Sequence, residues 1–230
     1  MRHSFRFSGT GGQGLITAGI ILAEAALLDD KLAVQSQSYG PEARGGSSKA
    51  EAIISDEPIY FSRVICPDTL LVMSQEAANK FIADCDEHTT VITDTLFVND
   101  VPGKYGKRVD LPITHTANTV CGKTLFANIV ALGAVVALTK CVSKEAILKA
   151  VLNRVPKGTE EANTKALEAG MALIEKLNLT YTIKAVAFGI HAGGSSFFCV
   201  QKFLVYWKFL LFSRKVSCIP ETLASLVKSF

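Results

Sequence analysis

The stretch FRFSGTGGQG, residues 5–14, decides the fold together with the apolar run that follows it. Phe5 and Phe7 alternate with Arg6, and a period of two predicts a short strand with one buried face. Glycines crowd the second half of the stretch, and Leu15–Leu28 is apolar enough to form a buried helix. A strand, a glycine-rich turn and a helix are the first half of a βαβ unit, so the chain begins with a Rossmann-like βα element.

The glycine turn is a candidate site for an anionic group. Glycine adopts backbone conformations that a Cβ would block, so such a turn packs closely or lets a ligand approach its backbone. The helix that follows has unpaired N–H groups and the positive end of its dipole at the same place. This chemistry favours a phosphate or carboxylate group.

The rest of the chain alternates between strand and helix patterns. Apolar and alternating segments predict strands over residues 32–37, 47–55, 69–73, 90–94 and 108–113. Helical patterns cover residues 75–83, 118–140, 143–155 and 159–177. Together they predict an α/β fold over residues 1–179, with three α/β/α layers around a largely parallel, mixed sheet.

The composition is typical of a globular chain, and its excess of basic residues lies in the last fifty residues. Hydrophobic residues make up 49% of the 230, which supports a sizeable core. The formal net charge is +3, yet residues 181–230 hold six basic side chains against one acid, Glu221. The preceding residues are therefore slightly acidic, and we predict no nucleic-acid partner.

Residues 180–230 form an atypical C-terminal extension. They hold seven of the 13 Phe and the only Trp. The run at residues 197–212 is too short, and too interrupted by Gln201, Lys202 and Lys208, to span a membrane. Three interpretations stay open: a strand and helix covering the sheet, an interfacial helix, or a non-native or poorly ordered extension produced by a shifted reading frame or a lost stop codon. We base no function on it and predict no membrane association.

Neither the cysteines nor the histidines have metal-site spacing. The six cysteines are widely separated, without a C-x-x-C pair, and the four histidines show no ligand spacing among themselves or with the cysteines. We expect no metal, mostly buried free thiols, and, without a secretory signal, a cytoplasmic location. The cysteines are Cys66, Cys85, Cys121, Cys141, Cys199 and Cys218.

The glycine turn matches most of a dinucleotide fingerprint. Gly9, Gly11 and Gly14 have the G-x-G-x-x-G spacing between a strand and a helix. The fingerprint also needs an acid at the end of the second strand. Asp29 and Asp30 precede that strand, which ends without a carboxylate. A tight structural or interface turn is therefore favoured over an NAD or FAD site.

A second loop, YGPEARGG at residues 39–46, is the companion of the glycine turn. Glu42 and Arg44 lie between glycines, at the carboxyl end of a predicted strand, where open α/β sheets bind ligands. A salt-bridged surface loop is the structural alternative. The nearby glycine turn, at the same edge of the sheet, favours a functional role.

Two long motifs resemble the gamma subunit of 2-oxoacid:ferredoxin (acceptor) oxidoreductases. They are GTGGQG at residues 9–14 and QSYGPEARGG at residues 37–46. The resemblance covers about residues 4–178 and is greatest to the 2-oxoglutarate type, although pyruvate and branched-chain relatives share the main motifs. Shorter matches lie at Ala18-Gly19, Leu22-Ala23, residues 54–59, Ala127-Asn128, residues 131–133 and residues 156–158.

The resemblance implies a subunit of an enzyme that converts a 2-oxoacid and coenzyme A to an acyl-CoA, CO2 and reduced ferredoxin. It implies alpha, beta and ferredoxin-like delta subunits as partners, which carry the thiamine diphosphate and the iron–sulfur clusters. This sequence has no G-D-G thiamine signature and no clustered cysteines. We therefore expect no cofactor, metal or catalytic residue in this chain, with coenzyme A as a co-substrate of the complex.

Both loops are predicted to face the partner subunits near the entrance of the active site. There, Arg44 and the helix N-terminus would position anionic groups of coenzyme A or of the 2-oxoacid; alternatively, the loops only dock the partners. Two other hypotheses are a stand-alone nucleotide-binding domain and a purely structural assembly subunit. The predicted ligand- or partner-facing residues are Gly9, Gly11, Gly12, Gln13, Gly14, Tyr39, Gly40, Glu42, Arg44, Gly45 and Gly46.

Overall fold

The structure, a computed structural model, describes residues 1–38 and 46–187. Most of these residues belong to one compact unit, Met1–Asn178. The predicted extension at residues 180–230 lies largely outside the described residues.

The centre of this unit is a mixed six-stranded sheet in the order β2-β3-β1-β4-β5-β6. Strands β1, β4, β5 and β6 are mutually parallel, and β3 is antiparallel to both β1 and β2. Because only β3 runs the opposite way, the predicted largely parallel, mixed sheet is confirmed. The strands are β1 (Arg2–Thr10), β2 (Leu32–Ser38), β3 (Ser47–Ser55), β4 (Thr69–Val72), β5 (Thr90–Asp94) and β6 (Lys107–Leu111).

Six helices and two short 3₁₀ turns complete the described part of the chain. The helices are α1 (Leu15–Leu28), α2 (Gln75–Phe81), α3 (Ile113–Cys121), α4 (Ala127–Thr139), α5 (Lys144–Arg154) and α6 (Glu160–Ala187). Helix α5 is capped by Ser143, whose hydroxyl accepts the Ala146 N–H, and Glu145 lies in its first turn. This start was predicted from the sequence, because a serine cap and an early acid stabilise a helix N-terminus.

The two faces of the sheet are covered unequally. Alternate side chains of β1 point to opposite faces. Phe5 and Phe7 belong to a large apolar cluster with α1, α4 and α5, whereas Leu70 and Val72 of β4 pack on the short helix α2. The three layers are present, but the layer formed by α2 is thin.

Three predicted boundaries are wrong. The single helix predicted over residues 118–140 is divided: α3 ends at Gly122 in a left-handed conformation, φ 71°, and α4 starts at Ala127. The strand predicted over residues 108–113 ends at Leu111, because Ile113 begins α3. Helix α6 continues ten residues beyond its predicted end at Leu177.

Small residues bring α4 and α6 into close contact. A Cβ at Gly133 would lie 2.2 Å from the Leu167 carbonyl oxygen, and one at Gly170 would lie 2.0 Å from that of Val130. Such distances are incompatible with any side chain, so both glycines are required by packing. Gly133 of α4 and Gly170 of α6 thus serve packing within the subunit.

The polar face of β1 is organised by a buried arginine. Arg6 is only 2% exposed. Its Nε donates to Glu51 Oε1 of β3 at 2.9 Å, and its Nη2 donates to the Val64 carbonyl at 2.7 Å. Its Nη1 donates to Asp84, in the 3₁₀ turn after α2. One guanidinium therefore joins β1, β3, the segment before β4 and the end of α2.

We predict that Arg6→Leu destabilises the chain by about 3–5 kcal/mol, because it leaves the buried Glu51 carboxylate with less compensation. Denaturant unfolding followed by circular dichroism measures the change. The matched control is Arg2→Leu on the same strand, where the side chain is exposed; its effect should stay within about 0.5 kcal/mol. Equal losses for the two variants would contradict this account of Arg6.

Acid should weaken the same cluster. Burial tends to raise the pKa of Glu51, but the hydrogen bonds and charges of Lys49 and Arg6 outweigh it and hold that pKa below its usual value. The stabilisation is therefore fully present above the unfolded-state pKa and is lost as the pH falls through the folded-state pKa. We predict that the difference in unfolding free energy between wild type and Glu51→Gln shrinks on acidification below about pH 4.3. A difference that is constant from pH 7 to pH 3 would contradict the prediction.

Candidate functional site

The glycine turn between β1 and α1 is held by one side chain, Gln13. Its Oε1 accepts the Thr10 N–H at 2.8 Å, and its Nε2 donates to the Met73 carbonyl at 3.0 Å. The first bond closes the turn on itself, and the second fixes it to the end of β4. The predicted site residue Gln13 thus connects the ends of the neighbouring strands β1 and β4 through its two hydrogen bonds.

The glycines of the turn are required by different structural constraints. Gly12 and Gly14 have φ angles of 94° and 73°, in the left-handed region that favours glycine. A Cβ at Gly14 would meet Asn128 Nδ2 at 2.6 Å, whereas nothing lies within 4 Å of one at Gly12. Gly9 is also enclosed, because its Cβ would lie 2.2 Å from Gln13 Oε1. Gly12, which is exposed, is therefore open to an approaching partner or ligand.

The N-terminus of α1 has no side-chain cap. Gly14 occupies the capping position, and the first turn contains no acidic residue. The first backbone N–H groups of the helix are accordingly available for an external acceptor, beside the open backbone of Gly12.

The two predicted loops do meet at one point. The Gly11 N–H donates to the Gly46 carbonyl at 3.0 Å, which places the end of the second loop against the glycine turn. The remaining predicted residues of that loop lie outside the described residues: Tyr39, Gly40, Glu42, Arg44 and Gly45.

A pocket of about 350 Å³ opens beside the glycine turn, at the carboxyl ends of the parallel strands. Phe97 and Leu125 stand at its mouth with large exposed fractions, 45% and 73%. No lining residue is ionisable, so the pocket can hold and shape a bound group but offers no acid or base. Its lining is Gly12, Gln13, Met73, Leu96, Phe97, Thr114, Thr124, Leu125 and Ala127.

Sequence reasoning missed most of this pocket, because its residues come from five separate segments of the chain. Asp94, at the end of β5, is fully buried and brings two of those segments together. Its carboxylate accepts the backbone N–H and the hydroxyl of Thr114 through Oδ2, and the Leu96 N–H through Oδ1. A buried strand ending in Asp, followed by exposed Leu96 and Phe97, was the available signal.

The described residues contain no metal site. No group of three or more His, Cys, Asp or Glu side chains is placed to hold a metal within the described ranges. Burial raises the pKa of the Cys85 thiol to about 11 and also raises the pKa of the other three described thiols, which remain protonated. Among the described cysteines, Cys141 is buried, Cys85 and Cys121 are half-buried and Cys66 is exposed, so the expectation of mostly buried thiols is wrong for these four. Cys199 and Cys218 lie outside the described residues.

Other candidate motifs have structural explanations. Gly122-Lys123-Thr124 has the last three residue types of a phosphate-binding loop motif. Gly122 ends α3, however, and residues 124–126 form a 3₁₀ turn, so this segment is neither such a loop nor part of the single helix predicted over residues 118–140. Asp29 accepts from the backbone and hydroxyl of Ser143, which ties α1 to α5. In the described part of the chain, no helix is both long and apolar enough to cross a membrane.

Comparison with known proteins matches residues 4–173 to the family model described as pyruvate ferredoxin/flavodoxin oxidoreductase. The chain belongs to this family. It is 48% identical over 180 residues to the 2-oxoglutarate synthase subunit KorC of Methanocaldococcus jannaschii, a match that covers 77% of this chain and 96% of that subunit.

Solved structures have the same fold. The gamma subunit of a keto/oxoacid ferredoxin oxidoreductase from Geobacter sulfurreducens is 50% identical, with a TM-score of 0.68 over 75% of this chain and 96% of that one. A 2-oxoglutarate:ferredoxin oxidoreductase from Magnetococcus marinus, solved with 2-oxoglutarate, coenzyme A and succinyl-CoA, has a TM-score of 0.69 over 76% of this chain and 31% of that one. Its identity is 21%, so it shares the fold. The predicted family and fold are confirmed.

We predict that Gly14→Ala destabilises the chain more than Gly12→Ala. Both variants place a Cβ in a left-handed conformation, at a cost of about 1–2 kcal/mol each. Only Gly14→Ala also forces the new Cβ against Asn128. Thermal unfolding of the two single variants, and of Gly14→Ala combined with Asn128→Ala, measures the difference. Equal losses at the two glycines, or no recovery in the double variant, would contradict this geometry.

Proposed function

We propose that this chain is the gamma subunit of a multi-subunit 2-oxoacid:acceptor oxidoreductase of the 2-oxoglutarate type. The complex decarboxylates the 2-oxoacid oxidatively with coenzyme A and delivers the electrons to ferredoxin. The observation that supports this most is the match to an archaeal 2-oxoglutarate synthase subunit over nearly all of that subunit's length. The fold agreement between 75% of this chain and a solved gamma subunit supports the proposal further.

The chain contributes no redox centre of its own in this proposal. No cluster of metal-ligating side chains is found among the described residues, the pocket beside the glycine turn has no ionisable lining residue, and the whole sequence lacks cysteine spacing for a cluster. Thiamine diphosphate and the iron–sulfur clusters therefore belong to the alpha, beta and ferredoxin-like delta subunits, and the complex works in the cytoplasm. In this proposal the gamma chain forms part of the surface near the entrance of the active site that the partner subunits carry.

The surface that meets these partners is the carboxyl end of the sheet. Exposed Leu96, Phe97 and Leu125 surround the pocket, and large apolar side chains that cluster on a surface mark an interaction site. The open backbone of Gly12 and the uncapped start of α1 lie beside them. We place the partner contact here, with the loop of residues 39–46 as its second half.

An anionic ligand group fits the same place. The unpaired N–H groups at the start of α1 complement a phosphate or carboxylate, and the sequence supplies Arg44 in the companion loop. We assign these groups to the positioning of coenzyme A or the 2-oxoacid. The Arg44→Ala variant distinguishes this ligand role from the alternative that both loops only dock the partners.

Omission from a reconstituted complex tests the function directly. The alpha, beta and delta subunits, assayed with 2-oxoglutarate, coenzyme A and ferredoxin, should reduce ferredoxin only after this chain is added. The chain alone should be inactive and should show no thermal shift with NAD, FAD or ATP. Full activity without the chain, or a nucleotide-dependent shift of the isolated chain, would favour the structural or nucleotide-binding alternatives.

We predict that Phe97→Asp abolishes stable assembly, because a charge in an apolar contact must be desolvated without a partner. In size-exclusion chromatography of the reconstituted complex, the affinity of this chain for its partner subunits should fall about tenfold or more. The matched control is Ile65→Asp, at a more exposed apolar residue outside the pocket, which should assemble normally. Normal assembly of Phe97→Asp would exclude this contact surface.

Arg44→Ala distinguishes ligand positioning from docking. If Arg44 binds an anionic group, assembly is retained while the KM for coenzyme A or the 2-oxoacid rises about tenfold or more, the scale of one charge-assisted hydrogen bond. Steady-state kinetics of the reconstituted complex measure this. Unchanged assembly together with unchanged KM values would exclude the ligand role.

A further inference from the structure

We propose that Gln75 is a positioning residue for partner docking, because it holds residues 95–101 in the conformation that presents Phe97. We call residues 95–101 the docking loop. The proposal rests on the contact surface proposed above, to which Leu96 and Phe97 belong, and it names the residue that fixes the shape of that surface. Its basis is the set of hydrogen bonds that the Gln75 side chain makes, together with the burial of the loop.

Gln75, the first residue of α2, uses its whole side-chain amide. Its Oε1 accepts the backbone N–H groups of Asn99 at 2.9 Å and of Asp100 at 3.2 Å. Its Nε2 donates to the Asp100 carbonyl at 2.7 Å and to Asn79 Oδ1, one turn further along α2, at 3.0 Å. An amide has two donor hydrogens and two acceptor lone pairs, so these four hydrogen bonds fill its capacity. Three of the four go to the backbone of the docking loop.

The docking loop is also fixed at its beginning. The Asp94 carbonyl accepts the N–H groups of Phe97 at 3.2 Å and of Val98 at 3.0 Å, which closes a tight turn. Val98 and Val101 are only 3% and 4% exposed, and both belong to the apolar cluster that contains residues of β4 and α2. The loop therefore cannot turn Phe97 inward without withdrawing the two valines from that cluster, which exposes their apolar surface.

This arrangement keeps two large apolar side chains in contact with water. Leu96 is 57% exposed and Phe97 is 45% exposed, and both line the pocket beside the glycine turn. A loop that is already held in its binding conformation loses less conformational entropy on association. Exposed hydrogen bonds such as those of Gln75 add little to global stability, because water competes for the same groups. Their main effect is accordingly on the conformation of the docking loop.

Residues 73–75 connect the docking loop with the glycine turn. The Met73 carbonyl accepts from Gln13 of the glycine turn, and Met73 itself lines the pocket. Ser74 caps α2, and Gln75 follows it directly. The glycine turn and the docking loop are thus both hydrogen-bonded to one short segment at the end of β4. A partner therefore meets the two as one preorganised surface.

Amide hydrogen exchange of the full-length chain, resolved by NMR, tests the positioning. Gln75→Met keeps the length and the helix propensity of the side chain but removes all four of its hydrogen bonds. We expect exchange at Asn99 and Asp100 to accelerate about tenfold or more. Exchange at Phe97 and Val98 should accelerate with it, because the loop opens as a unit.

The matched control is Asn79→Ala, which removes only the hydrogen bond within α2. It should leave exchange in the docking loop unchanged. Acceleration in the Gln75→Met chain that is confined to Asn99 and Asp100 would overturn the proposal, because Gln75 would then only pair with two N–H groups without positioning Phe97. This measurement needs neither substrate nor partner subunits.

The reconstituted complex tests the consequence for docking. Gln75→Met should raise the dissociation constant for the partner subunits about threefold or more, because a smaller fraction of the chains presents the loop in its docking conformation. In a chain that also carries Leu96→Ala and Phe97→Ala, the same substitution should cause no further loss. An equal loss in both backgrounds would show a general structural defect and would overturn the proposal.

Failure of this proposal is distinguishable from failure of the proposed function. Wild-type affinity of Gln75→Met, beside weakened binding of Phe97→Asp, would overturn the role of Gln75 and leave the contact surface in place. Normal assembly of both variants would exclude the contact surface and the role of Gln75 together. The need for this chain in the reduction of ferredoxin is measured separately, by its omission from the complex.

Discussion

The buried guanidinium of Arg6 is the contact on which the polar face of the sheet depends. Helix α2 covers only part of that face, so an apolar core cannot fix β3 and the segment before β4 there. Arg6 does so through Glu51, Asp84 and the Val64 carbonyl. Since a buried charge is tolerated only with its partners in place, Arg6 couples the stability of these elements to one another. The other face, packed on α1 and α4, provides most of the hydrophobic stabilisation.

The candidate site lies at the carboxyl end of the sheet, away from the contacts of Arg6. The strand that carries Arg6 also leads into the glycine turn, so the turn starts from a rigid strand. Gln13 and Asn128 fix it further, while Gly12 remains open. The surrounding pocket is apolar and holds no ionisable side chain. This surface supports the proposal that the chain positions partners and their ligands.

The sequence predicted local elements well where one periodicity dominated. Leu15–Leu28, Ser47–Ser55 and Thr90–Asp94 have the predicted bounds, because a uniform apolar or alternating pattern ends in polar residues. The break after Cys121 was missed: the pattern stays helical, and only the left-handed Gly122 ends the helix. The glycine turn was found because its motif is contiguous. The pocket was not, because tertiary contacts such as Asp94 to Thr114 assemble it from distant loops.

The central claim is that this chain works as a cofactor-free subunit within a larger oxidoreductase. Affinity purification of the tagged chain from its native host, followed by analysis of bound thiamine diphosphate, iron and sulfide, tests it most directly. The account predicts that thiamine- and cluster-binding subunits copurify in a constant ratio to this chain, and that the cofactors separate with them when the complex is dissociated. A chain that is recovered alone, or that retains a cofactor after dissociation, would contradict it.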